Sequence, residues 1–400
     1  MAISGQMDGI KVVDLTSNLA GPMCTTLLAD MGAEVVKIEM PGTGDVFRRG
    51  LRPLIDEDTS YVFFNVNRNK KSIALDLKHE SGRKVVSKLI ETADVFVENY
   101  RPGVMRKLGL DYDAANELNP RLVYCSISGY GQSGPLCNRP AYDIVVQAES
   151  GMMTVIGMPG GPPVLAPPGI VDFVTGVFGA LAIASALFNR RQTGVGERID
   201  VALFDVALFL LSHYGIPEYF GLGRAASARG SKHPYLVPYE THDCSDGRQV
   251  MVAAITNKLF GDLCVALGME KLAEDAKFAT ESARITNKDE LIGILDKVFA
   301  TKTRDEWIEI LNRAEVPCGA VNTTAEAFQR PQVSDREMVL NIKHRTKGEV
   351  KIMGNPMKFS HGPVRMVCPA PALGQDSESI LTDIGYSPDM IDELKSKRVI

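Results

Sequence analysis

One repeated local pattern constrains the fold more than any other feature: an apolar strand, a glycine-marked turn, a helix and a second apolar strand. Its first copy runs from the strand Ile10–Leu15 through the turn Ala20–Pro22 and a helix over 23–31 to the strand Glu34–Glu39. Two strands joined by one crossover helix lie parallel in a sheet, and the crossover is almost always right-handed. We therefore predict an α/β fold with a doubly wound parallel sheet.

Further strands of the same kind follow along the chain. They are expected at Ser72–Leu77, Val95–Asn99 and Leu122–Ser128. In open parallel sheets, ligands bind beyond the carboxyl ends of the strands. The segments that follow these strand ends, where we expect functional residues, are 18–20, 99–101 and 129–134.

The length of 400 residues exceeds what one hydrophobic core usually serves, which favours two domains. A small, basic, turn-rich stretch at 221–232 is typical of a linker. Beyond it we expect one strand, Gln249–Ala253, followed by amphipathic helices. We predict a large domain over 1–222 that is completed by 329–400, and a small domain over 223–328.

Composition disfavours several classes of partner and site. The net charge of −5 argues against nucleic acid. The longest apolar run, Val177–Phe188, is too short for a bilayer, so we expect a buried core helix and no membrane partner. Seven cysteines without a CxxC spacing favour free thiols and no structural metal. Together with an N-terminus that lacks an apolar signal core, this predicts the cytoplasm, or the mitochondrial matrix for a processed eukaryotic chain.

Asp172 is the most conspicuous candidate for chemistry. It lies between the Pro/Gly-rich approach 167–169 and a long apolar run, and its apolar neighbours cannot hydrate it. The carboxylate is then either a buried helix N-cap, which accepts the amide of Thr175 or Gly176, or a nucleophile facing an electrophile. The residues alone leave both possibilities open.

Several stretches, taken in order, resemble one family. They are Asp8–Leu15, Ala20–Pro22, Leu28–Glu39, Asn67–Lys78, Val97–Gly103 and Gly129–Pro135. This ordered set is similar to the family III coenzyme A transferases, which include formyl-CoA:oxalate and carnitine CoA-transferases and, by a different chemistry, α-methylacyl-CoA racemase. The resemblance extends from Asp8 to Glu393.

The resemblance implies a Rossmann-like large domain built from both chain ends, a smaller inserted α+β domain, and two chains interlocked as a homodimer. It implies acyl-CoA and carboxylic acid substrates, with no permanently bound cofactor. It makes Asp172 the covalent nucleophile. Asp143 stands where a glutamate assists the aspartyl intermediates in formyl-CoA transferase, and a salt bridge to Arg139 is the alternative role for Asp143.

The resemblance also implies which residues contact CoA. Basic stretches of this family wrap the phosphates of the ADP part, which bind cations and backbone amides. The predicted contacts, including those at strand ends, are Asn18, Ala20, Lys71, Leu75, Lys78, Asn99, Tyr100, Arg101, Lys107 and Tyr142. Some relatives carry an arginine where this chain has Met40, so one phosphate contact must differ.

Two departures from the family patterns bear on the reaction. The racemase branch carries a histidine at the position of Tyr142, and racemisation needs a base on each face of the α-carbon. Leu19 replaces a catalytic glutamine of the formyl-CoA:oxalate enzyme, which argues against that substrate pair. We predict transfer of CoA from succinyl-CoA to a small dicarboxylate; a racemase or a non-catalytic CoA-binding protein remain the alternatives.

Overall fold

The computed structural model describes residues 5–362, 364 and 368–400. The strands of this part of the chain are β1 (Lys11–Leu15), β2 (Glu34–Glu39), β3 (Leu54–Asp56), β4 (Thr59–Ser60), β5 (Lys70–Ala74), β6 (Val95–Glu98), β7 (Val123–Ser128), β8 (Glu197–Ala202), β9 (Tyr239–Asp243), β10 (Gln249–Ala253), β11 (Cys318–Ala320), β12 (Val339–His344) and β13 (Gly348–Met353).

The helices alternate with these strands in the first half of the chain. They are α1 (Ala20–Asp30), α2 (Val46–Arg49), α3 (Tyr61–Val66), α4 (Glu80–Thr92), α5 (Val104–Leu108), α6 (Tyr112–Leu118), α7 (Asp143–Glu149), α8 (Met152–Val155), α9 (Ile170–Thr193), α10 (Leu203–Leu210), α11 (Ser212–Gly215), a π-helix (Ile216–Gly221), α12 (Asn257–Ala266), α13 (Glu270–Glu274), α14 (Glu281–Thr286), α15 (Lys288–Phe299), α16 (Arg304–Arg313), α17 (Thr324–Phe328), α18 (Pro331–Asp335), α19 (Ser377–Asp383) and α20 (Pro388–Ser396).

A parallel sheet with strand order β5-β2-β1-β6-β7-β8 organises the larger part of the chain. Every residue of β6 and β7 is buried, as expected for strands covered on both faces. One face packs a continuous apolar core against α4, α6, α19 and α20. Helices α1 and α9 cover the opposite face, where Gly179 of α9 approaches Ile127 of β7. The predicted large parallel sheet of an α/β fold is confirmed.

The described chain separates into two compact units. The first comprises the residues up to Met153, Leu165–Ala225 and Gln332–Ile400, and the second comprises Thr154–Val164 and Ala226–Pro331. The return segment bonds to the sheet edge, where Asp376 N–H donates to Ser72 O at 2.9 Å. The domain boundaries at 222/223 and 328/329 stay a prediction.

The second unit has its own antiparallel sheet, with strand order β11-β10-β9, and its own apolar core. We predicted a single strand there, and this was wrong: β9 and β11 flank β10. Both are short, and β9 reads Tyr-Glu-Thr-His-Asp, which lacks a continuous apolar run. Helix α16 begins with a capping box, in which Thr303 and Glu306 cap the start of the helix reciprocally.

Helix α9, Ile170–Thr193, is longer than the apolar run Val177–Phe188 from which a helix was expected. Among the described residues it is the helix whose length and composition would suit a membrane span, and 44% of its most apolar window is buried. The expectation of a buried core helix is therefore wrong for one face of α9, which is exposed. Val177, Leu181 and Phe188 are 49%, 59% and 67% exposed. One side of α9 packs on α1 and the sheet, and the other presents an apolar stripe.

Candidate active site

Asp172 lies in the first turn of α9, and Gly169 sets the direction in which this helix starts. Gly169 is the N-cap residue and has a φ of 87°, a left-handed conformation that glycine adopts without a Cβ penalty. Helical residues begin at Ile170, which places Asp172 third in the helix. The possibility that Asp172 is the N-cap is therefore wrong, because its position is inside the helix rather than before it.

The carboxylate that caps this helix belongs to Asp143. Its Oδ2 atom accepts the N–H of Val171 at 2.8 Å and the N–H of Asp172 at 3.3 Å. These are amides of the first turn, which have no partner within their own helix. A negative charge at this point also interacts favourably with the helix dipole. Asp143 thus holds the main chain of Asp172 in place from the start of a neighbouring helix, α7.

Gln147 fixes the other oxygen of Asp143. Its Nε2 donates to Asp143 Oδ1 at 2.7 Å, and its Oε1 accepts the N–H of Ala166 at 2.9 Å. Gln147 is fully buried and lies one helical turn after Asp143. The sequence reasoning missed Gln147, although the i, i+4 spacing from Asp143 was a signal for it. The proposed salt bridge between Asp143 and Arg139 is wrong: Arg139 pairs with Glu149 at 2.6 Å.

Burial and the neighbouring Asp143 favour the protonated, neutral form of Asp172 more than is usual for an aspartate. Burial, and secondly the nearby carboxylate of Asp143, raise the pKa of Asp172 from 3.8 to about 7. Desolvation disfavours the charged form, and a like charge close by adds to this effect. A carboxylate with few water partners and a raised pKa is a better nucleophile than a hydrated one.

Two glycines allow the start of α1 to lie against the start of α9. A Cβ built on Gly176 would lie 2.7 Å from the carbonyl oxygen of Ala20, and one built on Gly169 would lie 2.6 Å from Leu19 Cδ2. Gly176 therefore serves close packing of α1 on α9 rather than ligand access. Consequently Leu19 and Ala20 lie beside the turn that carries Asp172.

The strand ends contribute the other predicted residues of this region. Asn99, which follows β6, pairs with both main-chain groups of Ser17: its Oδ1 accepts the N–H at 2.9 Å and its Nδ2 donates to the carbonyl at 2.7 Å. Asn18 is the next residue and has a φ of 68°. The structure thus joins Asn18, Ala20 and Asn99 to the region of Asp172.

Four predicted contacts lie in exposed positions on the same unit. Tyr100 and Arg101 follow Asn99 directly, and Lys107 lies on the short helix α5. Tyr142 is 67% exposed and immediately precedes Asp143. Their assignment to CoA stays a prediction.

The remaining three predicted contacts lie in or shortly after β5, the edge strand of the sheet. Lys71 lies early in β5, and its ammonium pairs with Glu34 at the amino end of β2, the opposite edge of the sheet from Asn18. Leu75 is 1% exposed and belongs to the apolar core. Lys78 is exposed in the loop after β5, and its N–H donates to Asp76 at 2.9 Å.

No cluster of three His, Cys, Asp or Glu side chains suited to a metal occurs in the described part of the chain.

Comparisons with known proteins point to one family. A sequence model described as CoA-transferase family III matches residues 7–377. The succinyl-CoA:glutarate CoA-transferase of Homo sapiens is 36% identical over 98% of this chain and 90% of its own length. The acetyl-CoA:oxalate CoA-transferase of Acetobacter aceti is 40% identical over 89% of this chain and 90% of its own length. A crystal structure of a CaiB/BaiF family protein from Brucella suis has a TM-score of 0.83 at 35% identity, and covers 95% of this chain and 100% of that one.

Proposed function

The chain belongs to the family III CoA-transferases, and on that premise we propose that it moves CoA from succinyl-CoA to a second small dicarboxylate through Asp172. The observation that carries the proposal is the half-buried carboxylate of Asp172 at the head of α9, with a pKa raised to about 7. Two relatives support the donor and the acceptor class: the succinyl-CoA:glutarate CoA-transferase of Homo sapiens and the succinate–glutarate CoA-transferase of Agrobacterium fabrum.

The reaction we propose uses four nucleophilic steps. The Asp172 carboxylate attacks the thioester carbonyl of succinyl-CoA, the C–S bond breaks, and CoA leaves as a thiolate from a mixed anhydride. The thiolate attacks the aspartyl carbonyl and releases succinate, which leaves an aspartyl-CoA thioester. The acceptor carboxylate displaces the thiolate to give a second anhydride. The thiolate then attacks the acceptor carbonyl and restores the carboxylate of Asp172.

The chain supplies placement and desolvation to these steps. Asp143 and Gln147 fix the first turn of α9, so that the carboxylate of Asp172 is held before substrate arrives. Fixed placement replaces a bimolecular encounter and accounts for much of the rate gain of such reactions. Splitting the exchange into steps through activated esters lowers each barrier. The carboxylate of Asp172 loses its charge in the first attack, which its raised pKa favours, and regains it only in the fourth step.

We propose a homodimer as the active assembly. The stripe of Val177, Leu181 and Phe188 on α9 is continuous in helical spacing, and Phe209 and Phe220 are 62% and 76% exposed in the same unit. Exposed apolar surface of this kind marks an interaction site. A second copy of the chain is the occupant we propose, because Arg190 and Arg191 in the last turn of α9 disfavour burial of the whole helix in lipid.

The seven free cysteines support a reducing compartment, and we propose the cytoplasm or a mitochondrial matrix.

The test of the function is an exchange assay with defined acids. The protein is incubated with succinyl-CoA and ¹³C-labelled glutarate, malate or oxalate, and the new acyl-CoA is measured by mass spectrometry. We expect labelled dicarboxyl-CoA and free succinate in equal amounts. Asp172→Ala should bind CoA by calorimetry and form no product, whereas Asp205→Asn, an exposed acid on α10, should retain transfer. Transfer by Asp172→Ala, or none by the unaltered protein with any acid, would contradict the proposal.

A further inference from the structure

The loop after β1 takes its shape from side chains outside it. Thr16 N–H donates to Asp14 Oδ1 at 3.0 Å, and Thr16 O accepts from Lys37 Nζ at 2.8 Å. Asn99 pairs with both main-chain groups of Ser17, as described above. The N–H of Asn18 donates to Asp45 Oδ1 at 3.2 Å. Five main-chain groups in three successive residues are thus held by four side chains. Asp14 lies on β1 itself, Lys37 on β2, Asn99 directly after β6, and Asp45 before α2.

Lys37 and Asp45 form the buried centre of this arrangement. Both side chains have no exposed surface, and Lys37 Nζ lies 3.0 Å from Asp45 Oδ2. Burial alone would lower the pKa of Lys37, but the carboxylates of Asp45, Asp14 and Glu39 outweigh it and raise the pKa to about 12. The lysine is therefore charged. A buried charge without its partner is strongly unfavourable, so each member holds the other in place.

The held loop continues directly into the active-site region. Asn18 has a left-handed φ of 68°, a conformation that is uncommon outside glycine and turns the chain toward Leu19. The side chain of Leu19 packs against Gly169, and the carbonyl of Ala20 packs against Gly176. Both glycines belong to the start of α9, three residues before and four residues after Asp172. A shift of the loop would therefore move the groups that surround this carboxylate.

We propose that the Lys37–Asp45 pair is a positioning device for catalysis: it fixes the main chain of Thr16–Asn18 and so sets where Leu19 stands beside Asp172. The inference rests on the proposed function, because it assigns to Leu19 the wall against which the acyl group of a bound thioester lies. Lys37 and Asp45 touch neither substrate nor reacting atoms and act through the loop.

Asp45→Asn is the perturbation that separates positioning from stability. It keeps an oxygen that can accept the N–H of Asn18 but removes the carboxylate that pairs with the Lys37 ammonium. Asp30→Asn is the matched control. It breaks another fully buried pair, Asp30 with Arg68 at 2.6 Å, at the far end of α1 from the loop. Lys37→Gln with Asp45→Asn is the rescue variant, because a neutral amide pair can still bond to Thr16 and Asn18.

The readouts are kcat and KM for succinyl-CoA, the melting temperature, and hydrogen exchange of the Ser17 and Asn18 amides. For Asp45→Asn we expect kcat to fall by at least about tenfold and the two amides to exchange faster. For Asp30→Asn we expect a similar loss of melting temperature, with kcat within about twofold and unchanged exchange at the loop. The rescue variant should recover part of kcat at a melting temperature no higher than that of Asp45→Asn.

Two results overturn the positioning role. One is an equal change of kcat in Asp45→Asn and Asp30→Asn; the other is unchanged exchange at Ser17 and Asn18 in Asp45→Asn. The exchange data do not depend on activity. If the unaltered protein transfers no CoA, the proposed function fails, while faster exchange in Asp45→Asn still supports the structural part of the inference.

Discussion

Replacing Asp172 by asparagine should stabilise the folded protein, and by an amount that depends on pH. The pKa of Asp172 in the fold is raised from 3.8 to about 7, first by burial and then by the carboxylate of Asp143. A carboxyl group with a raised pKa favours the fold while it is protonated, and this contribution is lost as pH rises through the folded pKa. Asparagine has nearly the shape of the protonated acid and cannot ionise.

The magnitude follows from the size of the pKa rise. Each pKa unit is worth about 1.4 kcal/mol, so the ionised carboxylate costs the folded chain about 4 kcal/mol at pH 8. At pH 4, where about 40% of the unfolded chains still carry a proton on this carboxyl, the same arithmetic leaves less than about 1 kcal/mol. The advantage of Asp172→Asn should therefore be small at pH 4 and grow through the range between pH 4 and pH 7. Above the folded pKa it should level off.

Urea unfolding followed by far-UV circular dichroism at pH 4, 5, 6, 7 and 8 measures this difference. Glu117→Gln, which removes an exposed carboxyl on α6, is the control and should show no such trend. Melting temperatures at the same pH values give an independent series. A free energy of unfolding that is equal for Asp172→Asn and the unaltered protein at pH 8 would refute the reasoning, as would a difference that does not change with pH.

Three other predictions test separate parts of the account. The acid limb of the pH profile of kcat/KM should have a midpoint near pH 7, because attack requires ionised Asp172. Asp143→Asn should move that midpoint to lower pH, because it removes a neighbouring negative charge. A pH–rate profile measures both, and an unchanged midpoint in Asp143→Asn would show that Asp143 does not raise the pKa of Asp172. Gly176→Ala should destabilise the fold by roughly 1–3 kcal/mol, because its Cβ would lie 2.7 Å from a main-chain oxygen. Gly293→Ala in α15 is the control and should be neutral or stabilising, because nothing lies within 4 Å of the added Cβ. Equal melting temperatures of the two variants would argue against the close contact between α1 and α9. Phe188→Glu should reduce the molar mass measured by light scattering from dimer to monomer, while Glu117→Gln leaves it unchanged; a persistent dimer would exclude this stripe from the interface.

Much of the parallel sheet could be predicted because its signal is local. The strand Glu34–Glu39 of this sheet is predicted at its observed bounds, because apolar and β-branched residues between glycine-marked turns identify buried strands. The same signal gives the observed bounds of Gln249–Ala253 in the antiparallel sheet of the second unit. The strand β5 was expected at Ser72–Leu77 and is found at Lys70–Ala74. Its first residue is a buried lysine paired with Asp14, and sequence reasoning assigns charged residues to the surface.

The site was predictable in its central residue but not in its supports. Asp172 could be found because a single carboxylate interrupts an apolar stretch. That Asp143 caps the helix of Asp172 depends on a contact across 28 residues of chain, which packing determines and local sequence does not. The pairing of Lys37 with Asp45 is likewise not predictable from local sequence, because both side chains are buried only once the surrounding strands have packed together.

The central claim is that Asp172 becomes covalently loaded during turnover, and peptide mass spectrometry tests it most directly. The protein is incubated with succinyl-CoA and hydroxylamine, digested, and the peptide that contains Asp172 is compared with the same peptide from Asp172→Asn. The account predicts a hydroxamate on Asp172 that requires succinyl-CoA and is missing from the variant. An unmodified Asp172 peptide in protein that is transferring CoA would contradict it.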